Sequence, residues 1–497
     1  MLKKNFFRII LSMLALCIFA TALSGCGKSG SVMVDGEEVG KVPEEPYQID
    51  WYTRAPAQAD VETVENAVNE YLKDKLNVTL KFHILDAAQY QKKMSTMIAA
   101  GEKFDLAYCG SGQIAYADSV RTGAFYDMAQ YVDTYMPDIK EQFDEGFFKT
   151  AYVDGKLGGI PCLKEYCAEW GWIYRTDIAE KYGIDMSKMK TLEDLEPYLE
   201  KIKAGEPEME YPIEWDTSMQ VHNLLGFFEI APDIGVYLDN GVPRDEVVIF
   251  PESEEYKKLC ETTKRYYEKG LVKPDVLTAK DAATRFKTGK SFCTIFSLKP
   301  DAYMEKFPDM EYPIDQVAFS ANTMNRPHAA MIGLSATSEN PVRTMRFLNL
   351  LYSDPVLSNM IVYGVEGVHY NLNKDGRVEQ IADSGYDMYP YQYMLGNIFM
   401  NKLKVGEDEK KHEKLKAFNE SAVYNPLNGF WVDTTDFELE RVQLNSVVAE
   451  FRNQTTFGIF DYDEIYPKYE KKLKEAGIDR AYESVSAQVK TFMKENK

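Results

Sequence analysis

The chain has 497 residues, of which 45% are hydrophobic and 27% charged, and a formal net charge of −21. That length exceeds one ordinary hydrophobic core, so two lobes or more are expected. With 78 acidic against 57 basic residues, binding to nucleic acid or to an anionic lipid surface is disfavoured.

Residues 1–25 do not read as part of the fold. Lys3, Lys4 and Arg8 precede an apolar run from Ile9 to Leu23, and polar Gly27-Lys28-Ser29-Gly30 follows at once. This is the pattern of a cleaved signal peptide, not of a membrane span. Leu23-Ser24-Gly25-Cys26 resembles the bacterial lipobox. The resemblance implies that Cys26 becomes the lipidated first residue of the mature chain. Its acyl chains, palmitate among them, would each anchor with roughly 0.8 kcal/mol per buried methylene. A chance cysteine behind an ordinary secretory signal is the alternative. Residues 26–46, rich in Gly, Ser, Val, Glu and Pro without a period, read as a flexible tether. No other stretch is long and apolar enough to cross a bilayer.

From residue 47 the pattern alternates. "YQIDWYTRAP" starts as a strand. A helix follows with Asp60 as N-cap and Val61, Val64, Val68, Tyr71 and Leu72 on one stripe. "NVTLKFHIL" is a strand, "AAQYQKKMSTMIAAGE" a helix closed by Gly101, "FDLAYC" a strand and "SGQIAYADSVRTG" a helix. Such alternation predicts an open parallel sheet covered by helices, with ligands beyond the carboxyl ends of the strands. Those ends are Tyr52-Thr53-Arg54 and Cys109-Gly110-Ser111-Gly112-Gln113. Gly-Ser-Gly at a helix start offers backbone N–H groups to an oxygen-rich ligand, but it lacks the lysine and spacing of a nucleotide loop.

Asp154-Gly155 signals a hairpin. "EWGWIYRTD" reads as a strand running into the helix "TDIAEKYG". Helical patterns cover 191–204, 252–269 and 278–288; "SFCTIFS", "QVAFS" and "HAAMIGLSA" are strands. The next helix has Asn340 at its cap and Pro341 at its first position. The last third is helical. Leu444, Val447, Val448 and Phe451 share one face there, and Gly477 separates two final helices.

Beyond Cys17 and Cys26 the cysteines are Cys109, Cys162, Cys167, Cys260 and Cys293. An odd count in an exported chain is no disulfide framework. Cys162 and Cys167 could form one bridge, but no second pair or nearby His completes a zinc site. They read as buried small hydrophobes. Asn371, Asn373, Asp375 and Gly376 imitate the start of a calcium loop, yet position twelve is Ala382 where a bidentate Glu is needed. A hairpin at Asp375-Gly376 is expected instead. Neither a cofactor nor a metal is expected.

Several segments together resemble the extracellular solute-binding proteins of bacterial ABC importers, in the group that mostly carries carbohydrates. They are "FDLAYCGSG", "RTGAFYDMAQYVDTYMPD", "YVDGKLGGIP", "WIYRTDIAEKYGID" and "SATSENPVRTMRFLNLLYSD". "VYGVEGVHYNL", "GFWVDTTDFELERVQLNSVV" and "LKEAGIDR" are similar to a lipoprotein subset with a C-terminal helical module. The resemblance implies a two-lobe α/β periplasmic-binding-protein-like fold with a hinge of several crossings. Lobe one would be 47–161 plus 298–338, and lobe two 162–297 plus 339–497. Residues 160–170 would cross the hinge. The resemblance also implies a soluble carbohydrate ligand, ABC permease subunits as partners, and a monomer held outside the cell membrane through lipidated Cys26 alone.

A sugar needs fixed donors and acceptors for its hydroxyls and a flat aromatic face for its C–H patches. The aromatic candidates are Trp170 and Trp172, at alternate strand positions, and Trp215 and Trp431 in loops, with Tyr116 and Tyr166. Trp51, inside the first strand, reads as core. The polar candidates are Arg54, Ser111, Gln113, Lys164, Glu165, Glu366 and His369. Arg54 could grip a carboxylated sugar bidentately or form a surface salt bridge. Glu366 and His369 could instead fix a turn, and Asn397 is in the same position. The readings from other classes are a peptide or other solute cargo, a surface adhesin or sensor subunit, and a secreted glycan-active enzyme. The last needs two carboxylates flanking a bond. No nucleophile elbow or metalloprotease motif appears, and the five histidines are scattered.

Overall fold

The computed structural model describes residues 33–34, 37–38, 41–110, 114–215, 221–324 and 330–495. The leader, Cys26, most of the tether, and Ser111 and Gln113 lie outside the described residues.

The first sheet has the order Val78–Leu85, Tyr47–Arg54, Leu106–Cys109, Met331–Leu334, Gly159–Pro161. Its first three strands are parallel, because each returns through a helix, Val61–Leu76 or Ala87–Ala100. The last two strands pair antiparallel. Val64, Val68 and Leu72 are buried on the expected stripe. Asp60 precedes that helix, but its side chain does not cap the backbone. It accepts from the Thr63 hydroxyl at 2.6 Å and meets His369 instead. Gly101 ends the next helix at φ 64°, a conformation that costs a residue with a Cβ. Trp51 is core, as expected, 4.8 Å from Phe82 between ring centroids.

The division between lobes differs from the expected one in two places. Helices Pro341–Ser353 and Pro355–Tyr363 cover the first sheet and do not belong to lobe two. Phe347 sits 6.2 Å from Trp51, and the Tyr352 hydroxyl donates to the Pro161 carbonyl at 2.9 Å. Conversely, strand Ile314–Ala318, expected in lobe one, pairs with Cys167–Arg175 in the second lobe. Both placements are set by long-range register and packing, which local periodicity does not encode.

The second sheet centres on Cys167–Arg175, antiparallel to both Cys293–Leu298 and Ile314–Ala318. Its helices match expectation: Leu192–Gly205 begins with a capping box at Thr191, and Glu254–Glu268 with Ser253 as its cap. A third, antiparallel layer, with Phe227–Ala231 and Ile234–Asp239 at its heart, packs on the C-terminal helices Glu438–Thr456, Tyr462–Glu475 and Ile478–Glu495. Gly477 separates the last two at φ 88°.

The chain leaves the first sheet at Pro161 and enters the second at Cys167. This short crossing is held by Asn419, which donates to the Lys164 carbonyl and accepts from the Tyr166 N–H, each at 3.0 Å. Cys162 and Cys167 are unpaired, and like Cys109, Cys260 and Cys293 they are buried. Tyr370–Leu372 and Val378–Gln380 form the expected hairpin.

Candidate functional site

A cleft of about 770 Å³ opens between the lobes. Lobe one contributes Gly110 and the start of helix Tyr116–Arg121, including Asp118. The second lobe contributes the turn Glu229 to Pro232. The C-terminal helix Glu438–Thr456 contributes Arg441, Asn445, Val448 and Arg452. Their spacing of four, three and four residues puts them on one helical stripe. Trp431 and Val432 close one side.

Trp431 joins the walls. Its indole N–H donates to the Thr150 carbonyl at 2.9 Å, and its ring lies 5.5 Å from Tyr116, inclined by 58°. Arg121 donates to the Trp431 and Val432 carbonyls at 2.7 and 2.8 Å and to Asp154 at 2.9 Å. The C-terminal segment is therefore pinned to lobe one at the cleft edge, with part of the indole left exposed.

Charges in this wall are already paired. The Arg452 guanidinium donates to Glu229 and to Asp233, the latter at 2.8 Å through Nε. The Tyr469 hydroxyl donates to the other Asp233 oxygen. Burial pushes the Asp233 carboxyl up from its ordinary value, and Arg452 opposes that rise. Arg441 pairs with Glu438 at 2.5 and 2.7 Å.

The family described as bacterial extracellular solute-binding protein matches residues 55–248, and a domain of unknown function (DUF3502) matches 426–494. The "carbohydrate ABC transporter substrate-binding protein" of Streptococcus pneumoniae is 24% identical, covering 99% of this chain and 100% of its own. Residues 55–248 are thus similar to the bacterial extracellular solute-binding proteins. Lipoprotein LipO of Bacillus subtilis is 22% identical over 80% of this chain and 82% of its own. In fold, the chain is similar to the N-glycan transport solute binding protein NgtS of Streptococcus pneumoniae. That likeness has a TM-score of 0.78 and 21% identity, covering 91% of this chain and all of the other.

A second hollow of about 360 Å³ lies at the crossing between the sheets, lined by Lys164, Glu165, Trp170, Phe296 and Lys299 among others. Lys164 and Lys299 approach Glu165 at 3.4 and 3.5 Å. Burial works against the Glu165 charge, yet the two ammonium groups outweigh it and hold the carboxyl at about 2. The side chain of Trp170 is half-buried here and faces the hollow.

Other candidates are placed differently. Trp172 is fully buried, and its indole donates to the Met189 carbonyl at 2.7 Å. It shares a strand face with Trp170 but lies two residues deeper in the sheet. Trp215 is core, stacked on Tyr266 at 5.8 Å. Tyr116 is also buried; its hydroxyl donates to Ala151 and accepts from the Gly158 N–H, so it supports Trp431 and offers no polar group to a ligand. Tyr166 stacks on Phe147 at 4.1 Å and borders a separate hollow with Asp144 and Lys416. His369 is fully buried: Nδ1 accepts from the Val365 N–H at 2.9 Å, and Nε2 lies 3.1 Å from Asp60. It fixes the turn after helix Pro355–Tyr363, where Glu366 is exposed and Gly364 has φ 85°. Asn397 is likewise structural, capping the turn Ile398–Met400.

Arg54 ends the first strand, half-buried. It donates to the Tyr393 hydroxyl at 3.0 Å and lies 5.7 Å above the Tyr108 ring. Sequence reasoning missed Asp118, Glu229, Arg441, Asn445, Arg452 and Lys299. The polar stripe 441, 445, 452 was readable beside the apolar face at 444, 447 and 451. Nothing local said that it meets a cleft.

Proposed function

We propose that this protein is the substrate-binding lipoprotein of an ABC importer, capturing an oligosaccharide between its lobes and handing it to membrane permeases. The observation that carries the reading is the cleft itself, whose walls come from two lobes and a helical module. Ligand touching all of them favours a shut form by its differential affinity for that form. The names of the relatives, one a carbohydrate substrate-binding protein and one an N-glycan transport protein, support a glycan cargo. Trp431 offers the flat apolar face a sugar ring needs, and Asp118, Asn445 and the rim of Arg441 offer hydrogen-bonding groups.

Binding without turnover fits the cleft's electrostatics. Glu229 and Asp233 are both engaged by Arg452, so neither is a free acid or base for glycoside cleavage. Among the described residues no helix is long and apolar enough to cross a membrane. Anchoring of a monomer to the outer face of the cell membrane through Cys26 follows from the lipobox, and the lipoprotein relative supports it. The test is a melting-shift and calorimetry screen of the mature chain against oligosaccharides, with product analysis. A saturable rise in Tm with intact glycan is expected. No shift with any glycan, or release of cleaved sugar, overturns the reading.

A further inference from the structure

We infer that Arg54, with the phenols of Tyr391 and Tyr393, forms a subsite for the carboxylate of an acidic sugar unit. The inference rests on the carbohydrate-binding reading and specifies its substrate class. Arg54 stands at the carboxyl end of a parallel strand, where open α/β sheets receive ligands. It is one aromatic ring from the cleft. Its guanidinium lies over Tyr108, and the Tyr108 hydroxyl lies so close against Gly110 that a Cβ there would come within 2.0 Å of it. Gly110 itself lines the cleft.

The partners of Arg54 distinguish it from the arginines of the cleft wall. Arg441 and Arg452 each hold a carboxylate, as does Arg121 at the rim. Among the described residues Arg54 has none: its hydrogen bond goes to a neutral phenol, and its electrostatic neighbours are Tyr393, Tyr108 and Tyr391. A surface salt bridge, the plain alternative for such a residue, is therefore not what the structure contains. One of the five guanidinium N–H groups serves Tyr393, which leaves a fork for an incoming carboxylate. Tyr391 is half-buried beside it.

The chain's charge sharpens the expectation. At −21, the protein as a whole repels an acidic glycan, so any preference must come from short-range contact in a site partly withdrawn from water. Distant charges are screened over about 8 Å at physiological salt, whereas a half-buried pair is screened much less.

The test uses β-1,4-linked mannose oligomers and mannuronate oligomers of equal length, which differ at C6 only, together with other neutral glycans and their uronic or sialic acid counterparts. Calorimetry on the mature chain reads the acid-to-neutral affinity ratio for each matched pair. At least one acidic member should bind about tenfold or more tighter than its neutral partner. That ratio should fall towards one in Arg54→Gln and be partly kept in Arg54→Lys, with Tm values within a few degrees showing that each variant is folded. Tyr393→Phe should lower the ratio less. If neutral glycans bind and no acidic partner is preferred, the inference fails and the carbohydrate reading stands. If Arg54→Gln weakens both members equally, Arg54 is an ordinary hydroxyl donor and the inference also fails. If no glycan of either kind binds, the carbohydrate reading fails and takes the inference with it.

Discussion

The Trp431 indole N–H donates to the Thr150 carbonyl across the seam between the C-terminal module and the first lobe. One side chain thus does two things: it ties the module to the lobe and leaves an aromatic face at the cleft edge. Separating the two roles gives the first prediction. Trp431→Ala should weaken glycan binding by roughly 1–3 kcal/mol, the range for an aromatic anchor. Trp431→Phe, which keeps a flat ring but loses the N–H, should recover most of that affinity while melting below wild type. Titration calorimetry and thermal unfolding on the same samples read both; equal affinity in wild type and the Ala variant removes Trp431 from the site.

Trp170 and Trp172, two residues apart on one strand, should respond in opposite ways. Trp170 is half-buried at the hollow of the crossing, so Trp170→Ala should lower ligand affinity by roughly 1–3 kcal/mol with a modest change in stability. Trp172 is fully enclosed and hydrogen-bonded to Met189. Trp172→Ala should cost about 3–5 kcal/mol of stability through the cavity it leaves. Urea unfolding beside calorimetry distinguishes them, and a severe stability loss in the Trp170 variant would contradict its placement.

The Arg452, Asp233 and Glu229 cluster holds the third layer against the C-terminal helices. Asp233 is fully buried and also receives the Tyr469 hydroxyl. Removing one partner leaves an uncompensated buried charge, so Arg452→Met should destabilise by about 3–5 kcal/mol. The double variant Arg452→Met, Asp233→Asn should recover part of that loss, because it removes both charges. A double-mutant cycle in denaturant measures the coupling; additive losses would show that the pair is not interacting as drawn.

Two glutamates give pH dependences of opposite sign. Lys164 and Lys299 hold Glu165 at about 2 against the effect of burial, below the ordinary 4.5. Its folded state therefore releases the proton more readily. The stability it contributes is present above about pH 4.5 and is lost as pH falls towards 2. Burial pushes Glu214 up to about 7, although Arg285 stands 3.0 Å away. Its folded state holds the proton more tightly, so that contribution is complete below about pH 4.5 and declines as pH rises through 7. Glu214→Gln should therefore lose less Tm than wild type between about pH 5 and 8. Parallel curves for the two proteins would show that Glu214 is not titrating there.

The elements themselves were legible because their causes are local. The stripe Val64, Val68, Leu72, the cap at Asn340, the turn at Gly477 and the alternation from residue 47 to 121 each depend on neighbours a few positions away, and the structure has them all. The crossing at 162–166 was legible through family resemblance. The lobe assignment of helices Pro341–Ser353 and Pro355–Tyr363 was not, because it depends on contacts such as Phe347 with Trp51, which no local period records.

The sequence by itself pointed to an acidic two-lobe α/β body with a helical C-terminus, and it named Arg54, Trp170 and Trp431 among many candidates. Only the tertiary structure decided which of those reach a cleft: it buried Trp172, Trp215 and His369, and turned the stripe at Arg441, Asn445 and Arg452 towards lobe one. The physical reason is range. Periodicity and capping are written within a few residues, but exposure is set by whichever distant segment covers a side chain, as Thr150 and Trp431 show from 281 positions apart.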